Sequence, residues 1–185
     1  MKIQRTFTVP ATVGLFAATI LTACGTMASK PMSYSQEGLP ASIQVPSGNK
    51  VAWETVGSGD ITYECKAGTS GQPGWMFIGP DAMLKDRHGK QVGKYYGPPA
   101  TWEAMDGSKL TGKQLAVAPS GEGNLPYQLV QANPAMGKGA MTGVTYIQRV
   151  ALKGGVAPNM PCNATSLGKR SVVQYQADYI FWKAN

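Results

Sequence analysis

The chain is poor in the residues that most enzyme chemistry needs. Its 185 residues include one histidine and three cysteines, which excludes a multi-histidine zinc site and a complete four-ligand Cys/His cluster. Only 15% of the chain is charged. No G-x-S-x-G elbow occurs, and no G-x-G-x-x-G follows a strand-like run, so the serine-hydrolase and dinucleotide-binding signatures are missing. Beyond Pro40 no long stretch keeps helical spacing free of Gly or Pro, which excludes a helix bundle or coiled coil. What remains is 43% hydrophobic, with 23 Gly and 13 Pro. That is enough apolar surface for the core of one domain, broken by many turns.

Lys2 and Arg5 precede an uncharged apolar stretch, Thr6 to Ala23, after which the chain turns polar. This is the layout of a secretory signal over residues 1–23. Its end, Leu21-Thr22-Ala23-Cys24, resembles the lipobox of bacterial lipoproteins. That resemblance implies lipidation of Cys24, a membrane partner through the N-terminal lipid, and export across the inner membrane. Gly25 follows the cysteine, and the absence of Asp there points to the outer membrane in a Gram-negative cell. Without Lys2 and Arg5 the mature chain keeps 15 basic residues (17 − 2) against 10 acidic, net +5. These are scattered, with Lys169-Arg170 the only adjacent pair, so nucleic acid is not expected as a partner.

Cys65 and Cys162 remain, and in an oxidising envelope two leftover cysteines form one disulfide most simply. Residues 24–39 read as a flexible tether, and residues 40–185 as the folded domain. Short β-prone runs then recur between Gly, Pro, Asp and Asn: Val51 to Val56, Ile61 to Lys66, Trp75 to Ile78, Ala82 to Lys85, and Gln91 to Tyr95. Tight turns are expected at Gly57-Ser58-Gly59-Asp60 and Asp86-Arg87-His88-Gly89. Further runs follow at Thr101 to Ala104, Leu110 to Ala118, Tyr127 to Gln131, Thr142 to Val150 and Val172 to Trp182. In the last, Val173, Tyr175, Ala177, Tyr179 and Phe181 fall on one face. The pattern predicts a single all-β domain, an antiparallel sandwich or a closed barrel.

Several pieces resemble one family. They are Gly89-x-x-x-Gly93 with Tyr96-Gly97-Pro98, then Thr101-Trp102-Glu103-x-x-Asp106-Gly107-Ser108, and Val144-Thr145-Tyr146-Ile147-Gln148-Arg149-Val150. Gly154-Gly155-x-Ala157-Pro158 with Cys162 and the terminal Tyr175-x-Ala177-Asp178-Tyr179-x-Phe181 complete the set. Together they are similar to DUF3455, a family of secreted bacterial and fungal proteins without an established function, and imply an all-β domain. Members usually carry His where this chain has Tyr95, which weighs against a catalytic imidazole there. Some fungal members carry a malate dehydrogenase label, which no Rossmann-type pattern in this chain supports.

The remaining candidates each have a plainer reading. Gly107 to Lys113 mimics a P-loop, but Gln114 stands where Ser or Thr is needed and a strand follows instead of a helix. His88 reads as a turn residue. Glu103 and Asp106 are either a carboxylate pair for glycoside hydrolysis or groups in an ordinary turn. Tyr95, Trp102 and Tyr146 supply either a ligand surface or core. Arg149 shares a face with Ile147, and if that face is buried it needs a partner, for which Glu103 and Asp178 are the candidates. The expectation is a non-catalytic binding or structural module of the envelope, with no cofactor and no metal. Its partner is a small-molecule or glycan ligand or another envelope protein; the alternative is an envelope glycan or polymer hydrolase using Glu103 and Asp106.

Overall fold

The computed structural model describes residues 1–2, 34–69 and 71–185. The expected signal segment and Cys24 therefore lie outside the described residues. Tyr34–Asn185 form one compact unit, built from β1 (Asn49–Ala67), β2 (Pro73–Lys85), β3 (Gln91–Tyr96), β4 (Thr101–Ala104), β5 (Lys109–Ala118), β6 (Tyr127–Ala132), β7 (Val144–Gly154) and β8 (Arg170–Ala184). Each strand pairs antiparallel with the next, and β8 returns to β1, closing a barrel. Of the two architectures the sequence allows, the chain adopts the barrel, which leaves no strand edge along the closed ring.

One expected turn does not form. Gly57-Ser58-Gly59-Asp60 lies inside β1, which runs unbroken beside β8 from Asn49 to Glu64. The glycines serve close approach instead of reversal: a Cβ on Gly57 would sit 2.5 Å from Tyr179 Cε2. Likewise the runs Trp75 to Ile78 and Ala82 to Lys85 are one strand, β2, with a bulge at Ile78 opposite Thr62 and Tyr63 of β1. The second expected turn is present. Asp86 Oδ1 accepts the N–H groups of His88 and Lys90, both at 2.9 Å, and leaves His88 in solvent.

Two apolar clusters stabilise the barrel from its two sides. The inward-facing residues of β8 (Tyr175, Ala177, Tyr179 and Phe181) meet Ile61, Leu84, Trp102, Leu110 and Ile147 inside the barrel. Outside, Ile43 and Val45 cover Leu129, Val150, Ile180 and Trp182. This second cluster moves the expected start of the folded domain from residue 40 back to Tyr34, because Tyr34–Leu39 belong to the folded unit, while residues 24–33 of the expected tether lie outside the described residues. Tyr34 and Leu39 pack on the outer cluster, and Gln36 closes a two-way bond with Val45, its Nε2 donating to the carbonyl at 3.0 Å and its Oε1 accepting the N–H at 2.7 Å. Gln148 is the anchor beneath them. Its Nε2 donates to Ile43 O at 2.7 Å and to Gln36 Oε1 at 3.1 Å, while its Oε1 accepts the Trp182 indole at 3.0 Å.

Cys65 and Cys162 form the expected disulfide, with Cα atoms 5.6 Å apart. It fixes the long β7–β8 connection to β1, assisted by the Trp75 indole, which donates to Met160 O at 2.8 Å.

Candidate functional site

Strand alternation sends the sequence-selected residues to opposite sides of the barrel wall. On β4, Trp102 points inward and is 1% exposed, and Glu103 points out; on β8, Tyr179 points inward and Asp178 out. Tyr95, opposite Trp102 in the β3–β4 register, stacks on it with ring centroids 4.7 Å apart and planes 21° apart. Tyr179 closes the group, its ring 5.0 Å from Tyr95 and 6.0 Å from Trp102. Such aromatic pairs are worth about 0.5–1.5 kcal/mol each beyond their buried area.

Arg149 enters this interior from β7. It is 9% exposed, and its Nη2 donates to Pro126 O at 3.0 Å. The expected partners are not there. Asp178 lies on the outer face, where its Oδ2 accepts Arg87 Nη1 at 2.6 Å, and Arg87 also binds Glu54 at 2.9 Å. Glu103, also outside, accepts the Tyr96 hydroxyl at 2.7 Å and lies 3.6 Å from Lys94 Nζ. The alternation of inward and outward residues on β4 and β8 is the signal that separates both carboxylates from Arg149.

Phenols surround the guanidinium instead. Tyr63 donates to Gly155 O at 2.7 Å, and the Tyr175 and Tyr179 hydroxyls are 3.2 Å apart. Burial raises the pKa of Tyr63, Tyr95, Tyr175 and Tyr179, and the positive charge of Arg149 opposes that rise in all four. The phenols thus stay protonated near neutral pH, each with one O–H to donate and an oxygen that can accept, beside a group that can only donate. Two buried donors here lack any partner among the described residues, Arg149 Nε and Trp102 Nε1. No Asp or Glu is among the buried residues described. The sequence pointed to Tyr95, Trp102 and Arg149 separately; Tyr63 carried no signal, since it joins the cluster only through the long reach of β1.

Glu103 and Asp106 line two neighbouring recesses that share Gln91, Ala104 and Met105. Asp106 lines a recess of about 270 Å³ with Trp53, Met105 and Ala140, and Glu103 lines a different one of about 250 Å³ with Lys94 and Gly107. The Tyr96 hydroxyl holds Glu103 below the usual carboxylate range against the opposing effect of burial, and Lys94 and Lys109 add to the lowering. The Ser108 hydroxyl and the N–H groups of Ala140 and Ser108 do the same for Asp106. A general acid in glycoside hydrolysis needs the opposite shift. Tyr146 faces outward and packs against the outer cluster. A recess of about 540 Å³ is lined by Ser58, Asp60, Met83, Lys153 and Gln176 together with Tyr175 of the interior cluster, and contains none of the candidate site residues singled out from the sequence.

Fold and site together define an eight-stranded antiparallel barrel, wound strand after strand, with aromatic and cationic donors gathered at one end of its interior. The chain belongs to the family described as a protein of unknown function, DUF3455, which it matches over residues 46–183. No curated protein and no solved structure matches it.

Proposed function

We propose that the protein is an exported lipoprotein, anchored in the outer membrane through Cys24, and that its barrel is a binding module for a small molecule or glycan component of the envelope. One observation carries the binding reading: Tyr63, Tyr95, Trp102, Arg149, Tyr175 and Tyr179 converge inside the barrel with two buried donors unpaired. Native interiors rarely leave such groups without a partner, and those that do call for one. The cell address rests on the lipobox and is supported by the Cys65–Cys162 bridge, which suits an oxidising compartment. Binding is favoured over catalysis because Glu103 and Asp106 are both committed to structural bonds.

Native mass spectrometry of the protein extracted from membranes in mild detergent tests the binding reading. A retained adduct supports it, and a clean apo mass across several preparations counts decisively against it. Replacing Cys24 by Ala and following fractionation tests the anchor: the protein should move from the membrane to the soluble fraction, and unchanged partition would remove the lipoprotein assignment.

A further inference from the structure

Arg149 is a buried cation facing neutral phenols. A guanidinium has five N–H donors and no acceptor, and here Nη2 takes one carbonyl, Pro126 O, while Nε is left without a partner. Burying a charge without a counter-charge is costly, and proteins ordinarily avoid it by pairing the charge. The phenols that feel its charge, Tyr63, Tyr95, Tyr175 and Tyr179, bring hydroxyls and no counter-charge, and Tyr179 in turn packs against the Trp102 ring. Trp102 Nε1 is a second unpartnered donor. The Tyr175 and Tyr179 hydroxyls are paired with each other, and once one donates to its neighbour the other's proton is still to be placed. Although each phenol oxygen can also accept, the buried residues described include no carboxylate to balance this one fixed positive charge. The cluster lies just under the loops carrying Pro126 and Gly155, whose carbonyls receive Arg149 and Tyr63.

We propose that Arg149, with Trp102 and the surrounding tyrosine hydroxyls, holds an oxyanion, a carboxylate or phosphate group, at this end of the barrel interior. The proposal rests on the binding reading above and gives it a ligand chemistry. A planar carboxylate or a phosphate accepts from the Arg fork and from phenols at once and also brings the opposite charge, which a neutral sugar or hydrocarbon lacks.

The test uses the exported full chain with isotope-labelled tryptophan, titrated separately with sodium acetate, sodium decanoate and inorganic phosphate at constant ionic strength. The Trp102 indole signal, assigned by its loss in Trp102→Phe, should shift saturably with at least one of these anions. The Trp182 indole, bound to Gln148 on the outer side of the wall, should stay in place. Whether acetate, decanoate or phosphate saturates first tells organic acid from phosphate. Arg149→Gln should abolish the shift, and Arg149→Lys, which keeps the charge without the fork, should weaken binding by about tenfold or more. No Trp102 shift with any anion in the wild-type protein overturns the proposal, whatever the variants do. Trp102 and Trp182 moving together without saturation overturns it too. A co-purified adduct whose retention is untouched in folded Arg149→Gln would refute the oxyanion site and leave the binding reading standing. No adduct and no shift would refute both.

Discussion

The carboxylate of Asp106 accepts the Ala140 N–H at 2.7 Å, tying the β4–β5 turn to the β6–β7 loop across 34 positions of sequence. Its other oxygen accepts the Ser108 N–H at 2.9 Å and the Ser108 hydroxyl at 2.6 Å, and Ser108 Oγ in turn accepts the Met141 N–H at 3.2 Å. The loop passes so close that any side chain on Gly139 would collide with the Asp106 carboxylate. A residue that reads as half of a catalytic pair is thus a clasp at the end of the barrel opposite the disulfide.

Because those donors hold Asp106 below its ordinary value of 3.8, its contribution to stability is fully present above about pH 4. It is lost as the pH falls through the lowered folded value. Asp106→Asn should therefore be less stable than wild type at neutral pH, and the difference should shrink in acid. Urea denaturation midpoints at pH 7 and at successively lower pH check this, and a gap independent of pH would remove the carboxylate from the account.

Much of the architecture was legible because strand alternation is a local property. The single face formed by Val173, Tyr175, Ala177, Tyr179 and Phe181 is the inward face of β8, and the Asp86 turn carries its own Asx chemistry. Features that depend on distant contacts were not legible. Gly57 and Gly59 look like a turn until Tyr179 and Ala82 are placed against them. The segment Tyr34–Leu39 has no periodicity of its own, since it is held by groups such as Gln148, 112 positions from Gln36. Arg149 reads as buried only if the Ile147 face is, and the partners it would then need, Glu103 and Asp178, are carboxylates that alternation turns outward.

Gln148 concentrates the attachment of that N-terminal segment in one fully buried amide. Gln148→Ala leaves Ile43 O and the Trp182 indole without their partners, a loss of about 2 to 4 kcal/mol. Denaturant midpoints read the loss. Hydrogen exchange should show faster exchange of the Val45 amide, which Gln36 otherwise protects, with little change at β3 and β4. Uniform acceleration over the whole barrel would contradict a local anchor.

The Cys65–Cys162 bridge closes a loop spanning 97 positions. Chain entropy sets an upper bound of about 4 to 5 kcal/mol on its stabilisation. The double variant Cys65→Ala with Cys162→Ala should remain a barrel, since the eight-strand ladder does not depend on the bridge, but unfold at lower urea. The comparison with the oxidised wild type is made under identical non-reducing conditions. An unchanged midpoint would mean that the β7–β8 connection is held by other contacts, foremost Trp75 to Met160.

Alkaline pH should unfold the barrel through its tyrosines. Burial pushes Tyr34 up to about 12, with the charges of Asp178 and Glu54 adding to the rise. Burial also raises Tyr63, Tyr95, Tyr175 and Tyr179 from the ordinary value of 10.0, only partly offset by Arg149. Phenols raised in the folded state leave stability intact below pH 10. Above it the unfolded chain ionises first, and stability falls as the pH climbs toward the folded values. Phenolate absorbance should then rise in two stages, exposed tyrosines first and the interior ones together with loss of near-ultraviolet dichroism. Tyr179→Phe removes the fully enclosed phenol and should make the alkaline limb of the stability curve shallower, even if the lost bond to Tyr175 lowers stability at pH 7. A single smooth phenolate transition centred near pH 10 in folded protein would contradict a closed interior around Arg149.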